Sequence, residues 1–419
     1  MVTKTVLDNG IRVISEHIPH LHSASIGVWV ATGSRHERES ERGISHFIEH
    51  MLFKGTERRS ARDIAREIDS VGGVLNAFTS REHTCYYAKV LDSFLPQAVD
   101  LLADIMLNSV FADEEVEKER QVILQEIGMI EDTPDDLIHD LFARNFWQGH
   151  PLGRPIIGST ESVGSFTGAM ALDYRKRRYL PGDIIISAAG RVDHDELIRL
   201  LAPFAAMAPG TAENESSGAP IPIGGAERFE RDLEQVHLCL GTRGINHTHA
   251  GRHAGYLMNT LLGSGMSSRL FQEIRERRGL VYSVYSYLSP FTDAGSLVIY
   301  AGADEGRIAE VVDLILAELK RLKHEPVPAD ELEAARNHFS GHMLLSLESS
   351  DNRMTRLAKT ELHFGRNIPV EELLEAFRRV TAEEILVLAN DLFDDLSLSM
   401  ALIGRVADIP LGSDRVTLS

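Results

Sequence analysis

The sequence predicts an α+β protein of two tandem, structurally similar domains, each a sheet with helices packed mainly on one face. Three observations support this prediction. The chain has 419 residues, which is too long for a single ordinary hydrophobic core. Prolines and glycines interrupt all periodicity in residues 206–225. The stretches on either side repeat one order of elements. We therefore predict a domain at 1–205, a linker at 206–225 and a second, similar domain at 226–419.

The repeated order is strand, helix, strand pair and long amphipathic helix. In the first half these elements are predicted at residues 23–32, 43–53, 72–90 and 95–106. In the second half they are predicted at residues 234–242, 253–262, 279–301 and 305–322. Ahead of the first repeat, residues 5–15 are predicted to form a single strand.

Composition excludes several classes of partner. The formal net charge of -19 would repel a phosphate backbone, so no nucleic-acid partner is expected. No apolar stretch reaches the roughly 18 residues of a membrane span, so no membrane association is expected. Cys85 and Cys239 lie far apart in apolar runs, which favours two buried free thiols over a disulfide. Together with the lack of a leader-like N-terminus, these features predict a cytoplasmic protein.

Residues 44–52 read ISHFIEHML and predict an amphipathic helix. The apolar residues form one stripe at helical spacing, namely Ile44, Phe47, Ile48, Met51 and Leu52. At about 100° per residue, His46, Glu49 and His50 lie roughly opposite this stripe. Imidazoles at i and i+4 can bind one ion, and the carboxylate between them can take a proton from a metal-bound water. The alternative is a histidine pair on a solvated face, but the His-x-x-Glu-His spacing is that of inverted zincins.

A catalytic zinc site needs a third protein ligand and one open position. Residues 114–131 predict a second helix that is rich in glutamate. Glu119 and Glu126 are seven residues apart and therefore share a face of this helix. Periodicity alone does not choose among the candidates, which are Glu115, Glu117, Glu119, Glu126 and Glu131.

Five pieces of the sequence resemble, in order, the pitrilysin–insulinase family of metallopeptidases, particularly its short bacterial members and the beta subunit of the mitochondrial processing peptidase. They are GISHFIEHMLFKGT at 43–56, GVLNAFT at 73–79, ERQVILQEI at 119–127, GHPLG at 149–153 and GSGMSSRLFQEIRERRGLVY at 263–282. The resemblance covers nearly the whole chain. It implies one Zn²⁺ per chain, bound by His46, His50 and Glu126. It also implies that Glu119 orients a ligand histidine by accepting its distal N–H.

The resemblance implies roles for four further residues. Asn76 and Ala77, in a predicted strand at 74–80, would pair with the backbone of an extended peptide; the alternative is an ordinary edge strand. Arg275 and Tyr282 would donate hydrogen bonds to the substrate carbonyl. Without the resemblance, Arg275 would be read as a solvated cation and Tyr282 as a core aromatic.

The implied function is that of a zinc-dependent endopeptidase acting on short or unfolded peptides, with Glu49 as general base. Because the chain resembles half of the long family members, the resemblance also implies a homodimer, or a heterodimer with a related subunit, in which Arg275 and Tyr282 serve the partner's zinc site. The alternative is a catalytically silent or partner-dependent subunit of a heterodimeric processing peptidase or assembly complex. The intact set of zinc-site positions favours the enzyme.

Overall fold

The structure is a computed structural model that describes residues 1–213, 218–409 and 416–418. Its first elements are β1 (Val2–Val6), β2 (Arg12–His17), β3 (Ser23–Val30), α1 (Ile44–Leu52), α2 (Ala61–Asp69), β4 (Val74–Thr79), β5 (Thr84–Leu91), α3 (Leu95–Asn108), α4 (Asp113–Glu131), α5 (Pro134–Phe146), α6 (Thr160–Ser165), α7 (Gly168–Arg178), β6 (Ile184–Gly190), α8 (His194–Leu200) and α9 (Ala202–Ala205). The second series is β7 (Gly225–Glu230), β8 (Val236–Arg243), α10 (Arg252–Gly263), β9 (Val281–Pro290), β10 (Gly295–Ala303), α11 (Ile308–His324), α12 (Ala329–Ser346), α13 (Ser350–Phe364), α14 (Val370–Arg379), α15 (Ala382–Leu392) and β11 (Ser399–Gly404).

The repeated elements agree with the prediction, but the N-terminal segment does not. Residues 5–15 were predicted as one strand, and this is wrong, because β1 and β2 pair as an antiparallel hairpin. The Leu7 N–H donates to the Ile11 carbonyl at 2.9 Å across the connecting turn. Gly10 in that turn has a φ of +99°, a conformation that glycine adopts without strain. The Asp-Asn-Gly sequence of residues 8–10 is a turn signal that outweighs the apolar alternation around it.

Each half of the chain contributes one sheet. The first has the order β1-β2-β6-β3-β5-β4, with β2 and β6 parallel and the other neighbours antiparallel. The second has the order β7-β11-β8-β10-β9, with β7 and β11 parallel. In the first sheet β4 is an edge strand, and in the second β9 is. This mixed α/β architecture confirms the predicted fold class.

Two compact units, taken over the described residues, do not follow the linear order of the chain. Unit 1 contains Met1–Met129, Arg154–Ser216 and Ser346–Asn367, and unit 2 contains Ile130–Gly153, Ser217–Leu345 and Ile368–Ser419. The first-half helix α5 therefore belongs to unit 2, and the second-half helix α13 belongs to unit 1. Of the predicted linker, residues 206–213 and 218–224 contain no helix or strand, and residues 214–217 lie outside the described residues.

Helices α5 and α13 are exchanged between the two halves of the chain, and each covers one face of the sheet in the unit to which it belongs. In unit 1, α1 and α3 pack on one face of the sheet, whereas α13 packs on the other. There Met354 and Leu357 contact a buried group formed by Trp29, Cys85 and Ile185. In unit 2, α5 packs on β8 and β11 in the same way, over a buried group that includes Cys239. Both cysteines are buried free thiols, as predicted.

Charged contacts hold α13 on the sheet of unit 1. Along the helix, Asp351 pairs with Lys89 at 2.9 Å, Arg353 with Glu16 at 2.7 Å and Glu361 with Lys4 at 2.7 Å. Because two of these pairs lie in the first turn of the helix and the third lies near its end, they fix the register of the helix as well as its position. None of the helices in the described part of the chain is both long and apolar enough to cross a bilayer.

A buried carboxylate fixes the loop that follows α1. Asp104 of α3 has a side chain with 0% exposure. It accepts hydrogen bonds from Thr56 at 2.8 Å, Arg58 at 3.1 Å and Arg59 at 2.7 Å in that loop, and from Asn108 at 2.9 Å. Burial raises the pKa of Asp104, but the hydrogen bonds outweigh it and lower the pKa to about 2.

We expect Asp104→Asn to lower the free energy of unfolding at pH 7 by about 2 kcal/mol, because Arg58 and Arg59 lose charged hydrogen bonds to a buried partner and keep only the more exposed Asp100 and Glu67. The folded-state pKa lies below the ordinary value of 3.8, so ionised Asp104 contributes its full stability above that value. That contribution is lost as the pH falls toward about 2. The difference between wild type and variant in urea unfolding should therefore shrink over this window. Asp173→Asn, which removes an exposed ion pair with Arg177, serves as the control.

Candidate metal centre and peptide site

A buried carboxylate anchors the N-terminus of helix α1. The buried Glu37 carboxylate accepts the backbone N–H groups of Gly43 at 2.7 Å and Ser45 at 2.9 Å. Burial raises the pKa of Glu37 to about 7, against the opposing effect of these two hydrogen bonds. Gly43 has a φ of +89°, and a Cβ there would lie 2.5 Å from the Ile157 carbonyl oxygen. Only glycine fits this position.

The structure brings the three predicted ligand residues together. Helix α1 buries the predicted apolar stripe and leaves His46 and His50 half-buried on its other face. Glu126 of α4 faces them, with its Oε2 3.9 Å from His46 Nε2 and 3.7 Å from His50 Nε2. The two imidazole rings have centroids 4.6 Å apart. Within the described ranges, these residues are the one group of three whose ligand atoms could surround an ion, all within 4.8 Å.

The donor set fits zinc. Three atoms bound tetrahedrally at 2.0–2.2 Å from one ion stand about 3.3–3.6 Å from each other. The observed separations of 3.7 and 3.9 Å exceed this by a few tenths of an ångström. They are also too long for hydrogen bonds, so two imidazole nitrogens and a carboxylate oxygen face one another unpaired. Two imidazoles and one carboxylate form a known ligand set of catalytic zinc.

The protonation of His46 also suits a metal ligand. Burial and, to a smaller extent, the neighbouring His50 lower the pKa of His46 to about 4. At neutral pH the imidazole is therefore uncharged, which is the form that binds a cation. In the described part of the structure, the buried Nδ1 of His46 has no hydrogen-bond partner. His46 thus lacks the outer contact that fixes His50.

His50 is fixed by Glu119. The His50 Nδ1 lies 3.0 Å from Glu119 Oε2, and the other oxygen, Oε1, is 2.7 Å from the Lys54 ammonium. A carboxylate can only accept here, so Nδ1 carries the proton and Nε2 presents its lone pair toward Glu126. Glu119 and Glu126 lie two turns apart on α4, as their spacing predicted. The structure gives them different neighbours: Glu119 contacts the outer nitrogen of His50, and Glu126 faces the inner ones.

Glu49 lies beside this group on the same helix face. Thr79, the last residue of β4, donates its hydroxyl to Glu49 Oε2 at 2.5 Å. Burial raises the pKa of Glu49, and the nearby Glu126 acts in the same direction, whereas Thr79 and His50 oppose the rise. A carboxylate that is held in one orientation and has a raised pKa is a better proton acceptor than one with an ordinary pKa.

The predicted peptide-binding residues lie on an exposed sheet edge. Asn76 and Ala77 are in β4, which pairs only with β5 among the described strands. The Asn76 side-chain oxygen accepts the Ala77 N–H at 2.8 Å. β4 carries no charged residue, and its last residue contacts Glu49. An extended peptide that paired with this edge would therefore run next to the metal centre.

Arg275 and Tyr282 lie in unit 2, whereas the metal-facing residues belong to unit 1. Arg275 is in a short π-helix, Phe271–Glu276, and its guanidinium lies 5.0 Å from the centroid of the Tyr282 ring. Tyr282 is the second residue of β9 and is 79% exposed, which excludes a core role for this aromatic. The structure therefore pairs these two residues with each other at the surface of unit 2.

Sequence reasoning missed three contributors to this arrangement: Glu37, Lys54 and Thr79. Thr79 ends the GVLNAFT piece, and the period of two along β4 places it on the same face as Leu75 and Ala77, but no pattern shows that Glu49 lies opposite it. Lys54 follows His50 by four residues, which is the one sequence signal that both could reach the same partner. Glu37 precedes the helix by too many residues to appear as a capping motif.

Two parts of the chain match known protein families. Residues 12–160 match the family described as Insulinase (Peptidase family M16). Residues 165–339 match the domain family described as Peptidase M16 inactive domain. The first match contains every residue of the metal centre, and the second contains Arg275 and Tyr282.

Relatives match along nearly the full chain. An uncharacterized zinc protease of Bacillus subtilis, YmxG, is 40% identical over 412 residues, which cover 98% of this chain and 100% of the relative. An uncharacterized zinc protease of Mycobacterium leprae, ML0855, is 43% identical over 402 residues, covering 94% of this chain and 89% of the relative.

Solved structures share the fold. A peptidase M16 inactive domain from Pseudomonas fluorescens superposes with a TM-score of 0.90 at 20% identity, covering 97% of this chain and 98% of that chain. A protease from Helicobacter pylori superposes with a TM-score of 0.87 at 22% identity, covering 96% and 99%. At these identities the likeness concerns the fold alone.

Proposed function

The chain belongs to the insulinase family (peptidase family M16), and from that premise we propose that it is a zinc-dependent endopeptidase acting on short or unfolded peptides. The observation that carries this proposal is the convergence of His46, His50 and Glu126, with Glu49 beside them. One Zn²⁺ per chain would be held by these three ligands. When bound, zinc supplies Lewis-acid polarisation of a carbonyl and lowers the pKa of water.

The side chains around the ion have distinct tasks in this proposal. Glu49 takes the proton from the attacking water and then delivers it to the leaving amine. Thr79 keeps one oxygen of Glu49 engaged at 2.5 Å, which leaves the other oxygen free for the proton. Glu119 holds the His50 ring in one tautomer through the 3.0 Å contact at Nδ1.

The edge of β4 would hold the substrate. An extended peptide adds to an open strand through main-chain hydrogen bonds, which accept many side-chain sequences. To bind there, its carbonyl would replace the Asn76 side-chain oxygen that now accepts the Ala77 N–H. Backbone pairing requires an extended segment, so folded proteins are excluded and short or unfolded peptides are favoured.

Arg275 and Tyr282 would donate hydrogen bonds to the substrate carbonyl and its developing negative charge. Their mutual contact at 5.0 Å supports a joint task. We assign them to the zinc site of a second subunit in a homodimer, since the chain resembles half of the long family members. The buried free thiols of Cys85 and Cys239 support a cytoplasmic location of the protein.

The purified chain, incubated with a quenched unstructured peptide, tests the proposal. We expect hydrolysis that a chelator abolishes and that added Zn²⁺ restores, with one zinc per chain by metal analysis. Absence of hydrolysis by a chain that carries zinc would favour the partner-dependent subunit instead. Absence of both zinc and hydrolysis would exclude the proposal.

Mixing inactive subunits tests the dimer. We expect Glu49→Gln and Arg275→Ala chains, each inactive alone, to recover activity when combined, because a mixed dimer contains one intact site. With random exchange the recovery should approach about a quarter of wild-type activity. Subunit exchange is checked by mass-tagged chains, and wild type mixed with Glu49→Gln gives the dilution control. No recovery after verified exchange would rule out donation between subunits.

A further inference from the structure

Two residues at the end of α1 contact one carboxylate of α4. His50 and Lys54 are four residues apart, on the last turn of α1 and just beyond it. Glu119 accepts from His50 Nδ1 through Oε2 at 3.0 Å and from Lys54 Nζ through Oε1 at 2.7 Å. Each oxygen of the carboxylate thus has its own donor, and the carboxylate cannot rotate without breaking one of these contacts.

Glu119 requires a counter-ion, because it is only 5% exposed. A buried carboxylate is costly unless it is paired with a positive charge. His50 is neutral when it binds a metal and so supplies a hydrogen bond but no charge. Lys54 is the one lysine or arginine within 4 Å of Glu119 in the described part of the chain. Its side chain is 30% exposed, so its own desolvation is modest.

We propose that Lys54 is a positioning residue of the zinc centre, which acts on His50 through Glu119. This inference rests on the proposed function. Lys54 holds the Glu119 carboxylate in one orientation through the 2.7 Å contact, and Glu119 in turn holds His50 with Nε2 toward the metal. The competing explanation is an ordinary ion pair that joins α1 to α4 and contributes to stability alone. The two explanations differ in what they predict for zinc affinity and for its dependence on Glu119.

The first experiment measures zinc affinity by competition with a chromogenic chelator, without any assay of hydrolysis. We expect Lys54→Met to weaken zinc binding about 10-fold, which is the lower range for loss of an outer contact of a ligand. Lys54→Arg, which keeps the charge, should restore affinity to within about threefold of wild type. Lys118→Met is the matched control, because Lys118 lies on α4 but pairs with Glu114 and Glu115 and not with Glu119. It should bind zinc as wild type does.

The second experiment is a double-mutant cycle with Glu119→Gln. Because Lys54 acts through Glu119, Lys54→Met should have little further effect on zinc affinity once residue 119 is Gln. Unchanged affinity in Lys54→Met, or an equal loss with and without Glu119, would overturn the inference. Thermal unfolding of the metal-free variants shows whether each chain is folded, and Lys54→Gln, which also removes the charge, replaces Lys54→Met if that chain does not fold.

The visible spectrum of the Co²⁺-loaded chain supplies a signature of ligand geometry. We expect a shifted spectrum for Lys54→Met and an unshifted one for Lys54→Arg and Lys118→Met. A wild-type chain that binds neither Zn²⁺ nor Co²⁺ would exclude the proposed function itself. A wild-type chain that binds both, together with a Lys54→Met chain of equal affinity, would exclude only the role of Lys54.

Discussion

Glu49→Gln is expected to bind zinc as tightly as the wild-type chain and to hydrolyse peptides about 10³-fold more slowly. Glu49 is not among the three residues whose ligand atoms could hold an ion, so its amide analogue leaves the ligands unchanged. Gln cannot accept the proton of the attacking water, and loss of a general base ordinarily costs about 10²–10⁴-fold in rate. The 2.5 Å contact with Thr79 can persist, because the amide oxygen of Gln still accepts a hydrogen bond.

Single-turnover hydrolysis and metal content should be measured on the same preparation. Glu82→Gln is a useful control, since it alters a glutamate that pairs with Arg35 away from the three ligands. Turnover by Glu49→Gln within about tenfold of wild type would remove Glu49 from the role of base. Loss of zinc by this variant would show instead that Glu49 supports the ligand set.

Glu126→Ala is expected to abolish stoichiometric zinc binding. Loss of an outer contact costs about 10–100-fold in affinity, and removal of a direct ligand should exceed that range. Glu126 is half-buried at the surface of α4, so the substitution should leave the folded chain intact. The variant should then unfold at the temperature of the metal-free wild type.

Glu115→Ala gives the comparison for Glu126→Ala, because both glutamates lie on α4 and both were open as candidates from periodicity. Glu115 is half-buried and pairs with Lys118, and it is not among the three residues that could hold an ion. The Glu115→Ala variant should retain one zinc per chain by metal analysis after dialysis against a weak chelator. Zinc retained by Glu126→Ala at wild-type affinity would require a different third ligand.

Much of α1 could be predicted from sequence alone. The period of its apolar residues identified the buried stripe from Ile44 to Leu52, and the remaining face then had to carry His46, Glu49 and His50. This works because a helix has one fixed period, so local spacing determines which side chains share a face. The resemblance to a family then selected Glu126 from five glutamates.

The contacts made by other elements could not be predicted in this way. Whether Glu119 or Glu126 faces the inner nitrogens depends on how α4 crosses α1, which no spacing within α4 records. The contacts of Thr79 and Lys54 depend on the same tertiary packing. Asn9 and Gly10 signal the turn between β1 and β2, but our prediction gave more weight to the apolar alternation around them.

The exchange of α5 and α13 had no sequence signal, because an amphipathic stripe shows that a face is buried without showing which sheet buries it. It has a consequence for synthesis on the ribosome. The last strand of the first sheet is complete at Gly190, but the helix that covers one face begins only at Ser350. At about 5–20 residues per second, synthesis of the residues between Gly190 and Ser350 takes on the order of 10 s. During that time the helix that buries Trp29 and Ile185 does not yet exist. A nascent chain of this length is therefore expected to recruit a chaperone, and a fragment ending near the linker should aggregate when expressed alone.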